Sequence, residues 1–129
     1  MLEHTEQKLG CDPSLLVAIM VADTGLGVKN KTNYNPMNVG NNDRGDRVHF
    51  TGWQEGVNAG CETLNNKYLG SLTMLGELSG GGRVALGIQG CAGNKCYASS
   101  MGNWHVNVSA ILSELKGKSI GASYLFRRT

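Results

Sequence analysis

The chain has 129 residues, of which 40% are hydrophobic and 17% are charged, and its formal net charge is +2. This length suits one domain with a modest core. No apolar run reaches the roughly 18 residues of a membrane-spanning helix, and scattered Lys and Arg residues argue against nucleic-acid binding. We expect a monomeric domain over residues 1–129, with its core at about 12–116, a tail at 117–129 and no membrane insertion.

The first predicted helix has clear start and stop signals. Asp12 suits the N-cap and Pro13 the first helical position. The residues that follow, 14–22, are apolar on nearly all sides, which predicts a central helix. Gly25, directly after Thr24, can take the left-handed conformation that ends a helix.

Asp23 lies at the C-terminal end of this apolar helix. Unpaired carbonyl groups there carry partial negative charge, and with apolar surroundings they disfavour ionisation and raise the pKa of a carboxyl group. A carboxylic acid that keeps its proton near neutral pH suits a general acid. Asp23 is therefore the first candidate catalytic residue, and the alternative is a carboxylate that merely ends a helix.

Residues 28–52 are rich in Asn, Gly, Lys and Asp, and they predict an irregular lobe with a hairpin turn at 43–45. Within it, the short amides and glycines of residues 35–43 can build a sugar-binding wall. The alternative for these residues is a turn-rich connector.

Three further helices are predicted, at about 53–68, 71–78 and 101–115. The glycines of residues 79–82 are expected to break the chain, and residues 83–100 to form a loop region. The apolar stripes of the two longer helices are Val57, Cys61, Leu64 and Tyr68 in the first, and Trp104, Val108, Ile111 and Leu115 in the second.

The four cysteines do not have the paired spacing of a zinc site, and neither do the three histidines. The spacing of Cys91 and Cys96 suits a small disulfide loop, and Cys11 and Cys61 can pair across predicted helices. Buried free thiols are the alternative. Oxidised cysteines would indicate an extracellular protein. We expect no metal and no organic cofactor.

Four sequence segments, taken in chain order, carry a family resemblance. They are Ala-Asp-Thr-Gly-Leu-Gly at residues 22–27, Asn-Pro-Met-Asn-Val-Gly at 35–40, Phe-Thr-Gly-Trp-Gln-Glu-Gly at 50–56, and Tyr-Ala-Ser at 97–99 followed by Trp104. In this order they resemble the lysozyme-like peptidoglycan-cleaving families, most closely the glucosaminidase type, with lytic transglycosylases nearby. The resemblance covers about residues 12–116.

This resemblance implies a mainly α, lysozyme-like domain, with a cleft between a helical lobe and a small irregular or β-hairpin lobe. It also implies cleavage of the β-1,4-linked GlcNAc/MurNAc backbone of peptidoglycan. Asp23 stands where the family has a catalytic glutamate, and it would protonate the glycosidic oxygen. Because Asp is one methylene shorter, its proton lies about 1 Å further back, and such a displacement can cost about a hundredfold in rate.

The resemblance also suggests roles for other residues. Asp43 or Asp46 would activate water or stabilise an oxocarbenium-like transition state, unless the N-acetyl or 6-hydroxyl group of the substrate does so. Tyr97 would orient the substrate or stabilise charge; its alternative is a core tyrosine. The expected sugar contacts are Asn38, Asn41 and Trp53.

The implied partner is the glycan strand of peptidoglycan, met outside the cell, in the cell wall or on a virion, as by an endolysin. The substitution of Asp23 for the usual glutamate supports an alternative reading. In that reading the domain is catalytically impaired or inactive, and it binds the wall or serves assembly, for example in a phage tail or secretion apparatus.

Overall fold

The computed structural model describes residues 10–27, 33–40, 48–91, 96–98 and 103–126. These parts of the chain are mainly helical, and their β structure consists of isolated bridges, such as that between Met74 and Leu125. No helix within them is long and apolar enough to cross a membrane. The helices are α1 (Pro13–Thr24), α2 (Trp53–Leu64), α3 (Gly80–Ala85) and α4 (Asn103–Lys116), with a 3-10 helix at Leu75–Leu78.

Helix α1 begins and ends where the sequence predicts. Asp12 is the N-cap, and its Oδ1 accepts a hydrogen bond from the backbone N–H of Ser14 at 3.0 Å. Gly25 takes the left-handed conformation, with φ of 60°, and its N–H closes the last turn. The helix packs mainly against α4 and also against α2. It therefore forms the centre of the domain, as its apolar sequence predicts.

Helix α2 ends at Leu64, earlier than predicted, and the chain turns over residues 65–70. The side chain of Asn66 accepts hydrogen bonds from the backbone N–H groups of Tyr68 and Leu69. An amide side chain that competes in this way favours a turn over further helix. Tyr68 is 42% exposed, so its assignment to the buried stripe was wrong.

The glycines of residues 79–82, predicted to break the chain, instead begin helix α3. Ser79 is its N-cap, with Oγ accepting from the N–H of Gly82 at 3.1 Å. A side chain at Gly82 would collide with the backbone of Gly76, so glycine permits a close contact there. The helix predicted at 71–78 is reduced to the 3-10 helix, in which Leu75 and Leu78 are buried.

Helix α4 buries a slightly different face from the predicted one. Trp104, Val108 and Leu112 are buried at steps of four residues, whereas Leu115 is 50% exposed. After α4 the chain packs back on the domain, since Ile120 is buried. The Tyr124 hydroxyl donates a hydrogen bond to Asp12 Oδ2 at 3.0 Å, which ties this return segment to the start of α1.

Both expected disulfides are present, so the alternative of buried free thiols was wrong. Cys11–Cys61 joins the residue before the N-cap of α1 to the last turn of α2, and Cys91–Cys96 closes a small loop. The first links the two helices across 50 residues of sequence. The second lies immediately before Tyr97 and so restrains the segment that carries this candidate site residue.

Candidate functional site

Asp23 lies on the last turn of α1 with its side chain partly buried. Burial raises the pKa of its carboxyl group from 3.8 to about 7, while the indole N–H of Trp104 acts in the opposite direction and lowers it. The raised pKa has the direction expected from the sequence. A carboxyl group with such a pKa holds its proton in a large fraction of molecules at neutral pH and can still reach solvent.

Two aromatic residues lie beside Asp23. The pKa of Tyr97 lies well above its ordinary value of 10, first because the group is buried and then because of the negative charge of Asp23. The rings of Tyr97 and Trp104 are in contact, with centroids 5.7 Å apart and an interplanar angle of 38°. Trp104 comes from the first turn of α4, so the packing of α4 on α1 creates this cluster.

The end of α1 is fastened to residues 33–40, which we call the 33–40 segment. The Thr24 hydroxyl donates to the carbonyl oxygen of Pro36 at 2.6 Å and accepts from the N–H of Gly27 at 2.8 Å. Tyr97 adds a second connection, because its hydroxyl donates to the carbonyl oxygen of Met37 at 2.7 Å. Thr24, which follows Asp23 in the chain, and Tyr97, which lies beside it in space, are therefore both hydrogen-bonded to the 33–40 segment.

The 33–40 segment is an ordered turn structure organised around Asn35, which is fully buried. Its amide nitrogen donates to the carbonyl oxygens of Val39 and Val48, and its amide oxygen accepts from the N–H of Val39. Asn38, at the exposed tip, has a φ of 58°, a conformation that Asn tolerates better than most residues. The internal hydrogen bonds of Asn35 fix the shape of this turn.

Trp53, the first residue of α2, lies against the same end of α1. A side chain at Gly27 would collide with the Trp53 ring, so the glycine at that position permits the contact. The Trp53 ring also meets the edge of Tyr34, with centroids 5.1 Å apart and an interplanar angle of 86°. One aromatic side chain thus contacts both the turn after Asp23 and the 33–40 segment.

The structure therefore brings several predicted site residues together. Tyr97 lies beside Asp23, and both Trp53 and the segment that carries Asn38 lie at the same end of α1. Three predicted site residues lie outside the described residues: Asn41, Asp43 and Asp46. The second catalytic role therefore stays a prediction. Among the residues that are described, no group of three or more His, Cys, Asp or Glu side chains can hold a metal ion.

Sequence reasoning placed Trp104 in a buried stripe but did not assign it to the site. It is only 8% exposed, as the stripe predicts. Its indole nitrogen, however, is buried and makes no hydrogen bond within the described parts of the chain. Helical periodicity identifies which side chains are buried, but it does not indicate where a single N–H group points.

No protein family, no curated protein and no solved structure matches this chain.

Proposed function

We propose that this protein cleaves the glycan strands of peptidoglycan at β-1,4 linkages between GlcNAc and MurNAc, with Asp23 as the general acid. The observation that carries the proposal is the state of the Asp23 carboxyl group. Its pKa of about 7 lets it hold a proton at neutral pH, and it lies partly exposed between aromatic side chains and an ordered polar turn. A general acid requires both the proton and the access.

In the proposed reaction, the Asp23 carboxyl group gives its proton to the glycosidic oxygen while the bond from that oxygen to the anomeric carbon breaks. The bond electrons remain with the oxygen, so the leaving sugar departs as an alcohol and positive charge develops on the other ring. Water then adds to the anomeric carbon, activated by Asp43 or Asp46. Alternatively, the 6-hydroxyl group of the sugar adds and gives an anhydro product.

The remaining predicted site residues are assigned to substrate binding. Because the Tyr97 hydroxyl donates its hydrogen to Met37, it can only accept hydrogen bonds from sugar hydroxyl groups. The partly exposed ring of Trp53 offers a surface on which a pyranose ring can pack. Asn38 lies at the exposed tip of the 33–40 segment, and Asn41 follows shortly after it in the sequence.

The test is digestion of purified peptidoglycan, followed by the loss of turbidity and by mass spectrometry of the products. We expect cleavage by the natural chain and a loss of about a hundredfold or more in Asp23→Asn, since a positioned general acid contributes about 10²–10⁴ in rate. Glu114→Gln removes a carboxylate on the exposed side of α4 and serves as the matched control. Absence of cleavage by both the natural chain and Asp23→Glu would refute the proposal.

A second candidate function is binding to the wall without turnover. It is favoured by Asp23 itself, which stands where the family that the chain resembles has a glutamate, because the shorter side chain sets the proton about 1 Å further back. In this case Asp23→Glu would cleave peptidoglycan, whereas the natural chain and Asp23→Asn would bind it and leave it intact. The mass of the new chain ends then identifies the bond and separates hydrolysis from anhydro product formation. Failure of all three chains to bind glycan would favour the remaining alternative, a role in assembly without glycan binding.

A further inference from the structure

We propose that Trp104 is the positioning residue for the general acid, and that its indole N–H hydrogen-bonds the Asp23 carboxylate that remains after proton transfer. The inference rests on the proposed function, since it assigns a partner to the acid of that reaction. Trp104 belongs to the fourth segment of the family resemblance, which gives it no role in the reaction.

The first observation is the unpartnered donor itself. Trp104 is 92% buried, and its Nε1 makes no hydrogen bond in the part of the chain that the structure describes. A buried donor without a partner costs free energy, because it has lost its hydrogen bond to water and gained none. Such a group in a folded protein calls for an explanation, and a role in catalysis is one.

The second observation is that packing fixes the direction of the N–H group. The Trp104 ring contacts Tyr97 on one side and belongs to the hydrophobic core formed by α1 and α4. Tyr97 is itself held by its bond to Met37. Because these neighbours restrict the rotation of the indole ring, its N–H group is preorganised rather than free to seek a partner.

The third observation is electrostatic. The indole N–H lowers the pKa of Asp23 while burial raises it, so this donor favours the ionised carboxylate over the protonated acid. In the proposed reaction the proton moves to the glycosidic oxygen and leaves negative charge on Asp23, at a place where water solvates it poorly. The N–H group stabilises this charge. Asp23 regains a proton from the 6-hydroxyl group when the anhydro product forms, or from solvent when Asp43 or Asp46 takes the proton of the attacking water.

In the part of the chain that the structure describes, two other groups close to this pair in sequence or space have shifted pKa values. The pKa of Tyr97 lies well above 10, and burial lowers the pKa of His105, the residue after Trp104, below 6.5. Tyr97 therefore keeps its proton and His105 remains neutral from pH 7 to pH 9. A change in the Trp104 signal in this range reports on Asp23.

The chain has only two tryptophans, so a ¹H–¹⁵N spectrum shows two indole N–H signals. We expect the Trp104 signal to move downfield as Asp23 ionises, with a midpoint near pH 7, and to stay in place from pH 7 to pH 9 in Asp23→Asn. The Trp53 signal is the internal reference. A Trp104 signal that does not follow the ionisation of Asp23, itself measured by ¹³C NMR of the carboxyl group, would overturn the proposal.

Removal of the Trp104 N–H group by substitution tests the same contact with Asp23. Trp104→Phe keeps an aromatic ring and removes the donor, and we expect the midpoint of Asp23 ionisation to rise by about one pH unit. Trp53→Phe, the matched control, is expected to leave it unchanged. Should Trp104→Phe not fold, 3-benzothienylalanine at position 104 retains the ring shape and replaces N–H by sulfur. An unchanged midpoint in the folded variant would contradict the assignment.

These measurements also separate this proposal from the proposed function. The indole N–H signal and the pH midpoint of Asp23 ionisation are measured without substrate. They therefore test the contact between Trp104 and Asp23 even if peptidoglycan is not cleaved. Where cleavage occurs, Trp104→Phe is expected to lower kcat and to move the alkaline limb of the pH–rate profile upward with the Asp23 midpoint, while KM is little changed. A purely structural role for Trp104 would leave the position of that limb unchanged.

Discussion

The Tyr97 hydroxyl donates a hydrogen bond of 2.7 Å to the carbonyl oxygen of Met37, a residue 60 positions earlier in the chain. This bond connects the end of the Cys91–Cys96 loop to the 33–40 segment, which Thr24 also fastens to the end of α1. Thr24 and Tyr97 are therefore both hydrogen-bonded to the 33–40 segment. A single substitution can remove each of these two bonds separately.

Removal of the Tyr97 hydroxyl is expected to destabilise the fold modestly. Tyr97→Phe leaves the Met37 carbonyl without this donor, which should lower the free energy of unfolding by about 1–2 kcal/mol. Denaturant titration measures the change. Tyr68→Phe removes a hydroxyl from an exposed ring and should change stability by less than about 0.5 kcal/mol. Equal effects of the two substitutions would show that the bond to Met37 adds no stability.

The Thr24 hydroxyl is expected to matter more. Thr24→Val has nearly the same shape but leaves the Pro36 carbonyl and the Gly27 N–H unpaired in a buried place. We expect a loss of about 2–4 kcal/mol, since each unsatisfied buried group costs about 1–3 kcal/mol. Thr63→Val is the matched control, because the hydroxyl of Thr63 donates to the carbonyl of Ala59 within its own helix and so bridges no separate segments among the described residues. Thermal unfolding of both variants checks the difference, and a smaller loss in Thr24→Val than in Thr63→Val would contradict it.

Asp23 should make stability depend on pH. The folded protein keeps the Asp23 proton up to a pKa of about 7, whereas the unfolded chain loses it near 3.8. Between these values the native state binds more protons, so the free energy of unfolding falls as pH rises and levels off above about 7. Across this pH range the raised pKa of Asp23 is expected to lower the free energy of unfolding by about 2–4 kcal/mol, where the lower figure allows for solvent screening.

Asp23→Asn removes this contribution. We expect the variant to be more stable than the natural chain at pH 8 and to lose most of that advantage at pH 4. Urea titrations of both chains at several pH values measure the difference, in which the contributions of other groups cancel. A constant difference from pH 4 to pH 8 would show that Asp23 does not ionise in this window.

The two disulfides should differ in their effect on stability. Replacement of Cys11 and Cys61 by Ala reopens a loop of 50 residues, and the chain-entropy relation gives a loss of about 4 kcal/mol. Replacement of Cys91 and Cys96 reopens a loop of 5 residues, and the same relation gives about 2 kcal/mol. Calorimetry under non-reducing conditions measures both, and a reversed order would show that loop length does not govern these contributions.

Local signals in the sequence predicted α1 well and α3 not at all. The start of α1 depends on Asp12 and its end on Gly25, and both act through backbone groups within a few residues. Helix α3 depends instead on close contact between Gly76 and Gly82, which outweighs the low helix propensity of glycine. The early end of α2 depends on the hydrogen bonds of the Asn66 side chain, which periodicity does not reveal.

The sequence by itself determined that Asp23 ends a buried helix and that its pKa should rise, because helix signals and apolar periodicity are local properties of the chain. It left disulfides and free thiols open for the four cysteines, and the tertiary structure shows both disulfides. The tertiary structure decided which groups surround Asp23. Trp104 and Tyr97 lie 81 and 74 residues away from Asp23 in sequence. The packing of α4 on α1, together with the bond of Tyr97 to Met37, brings them to the carboxyl group. The direction of one indole N–H depends on that packing, since no local pattern encodes the contacts between distant segments.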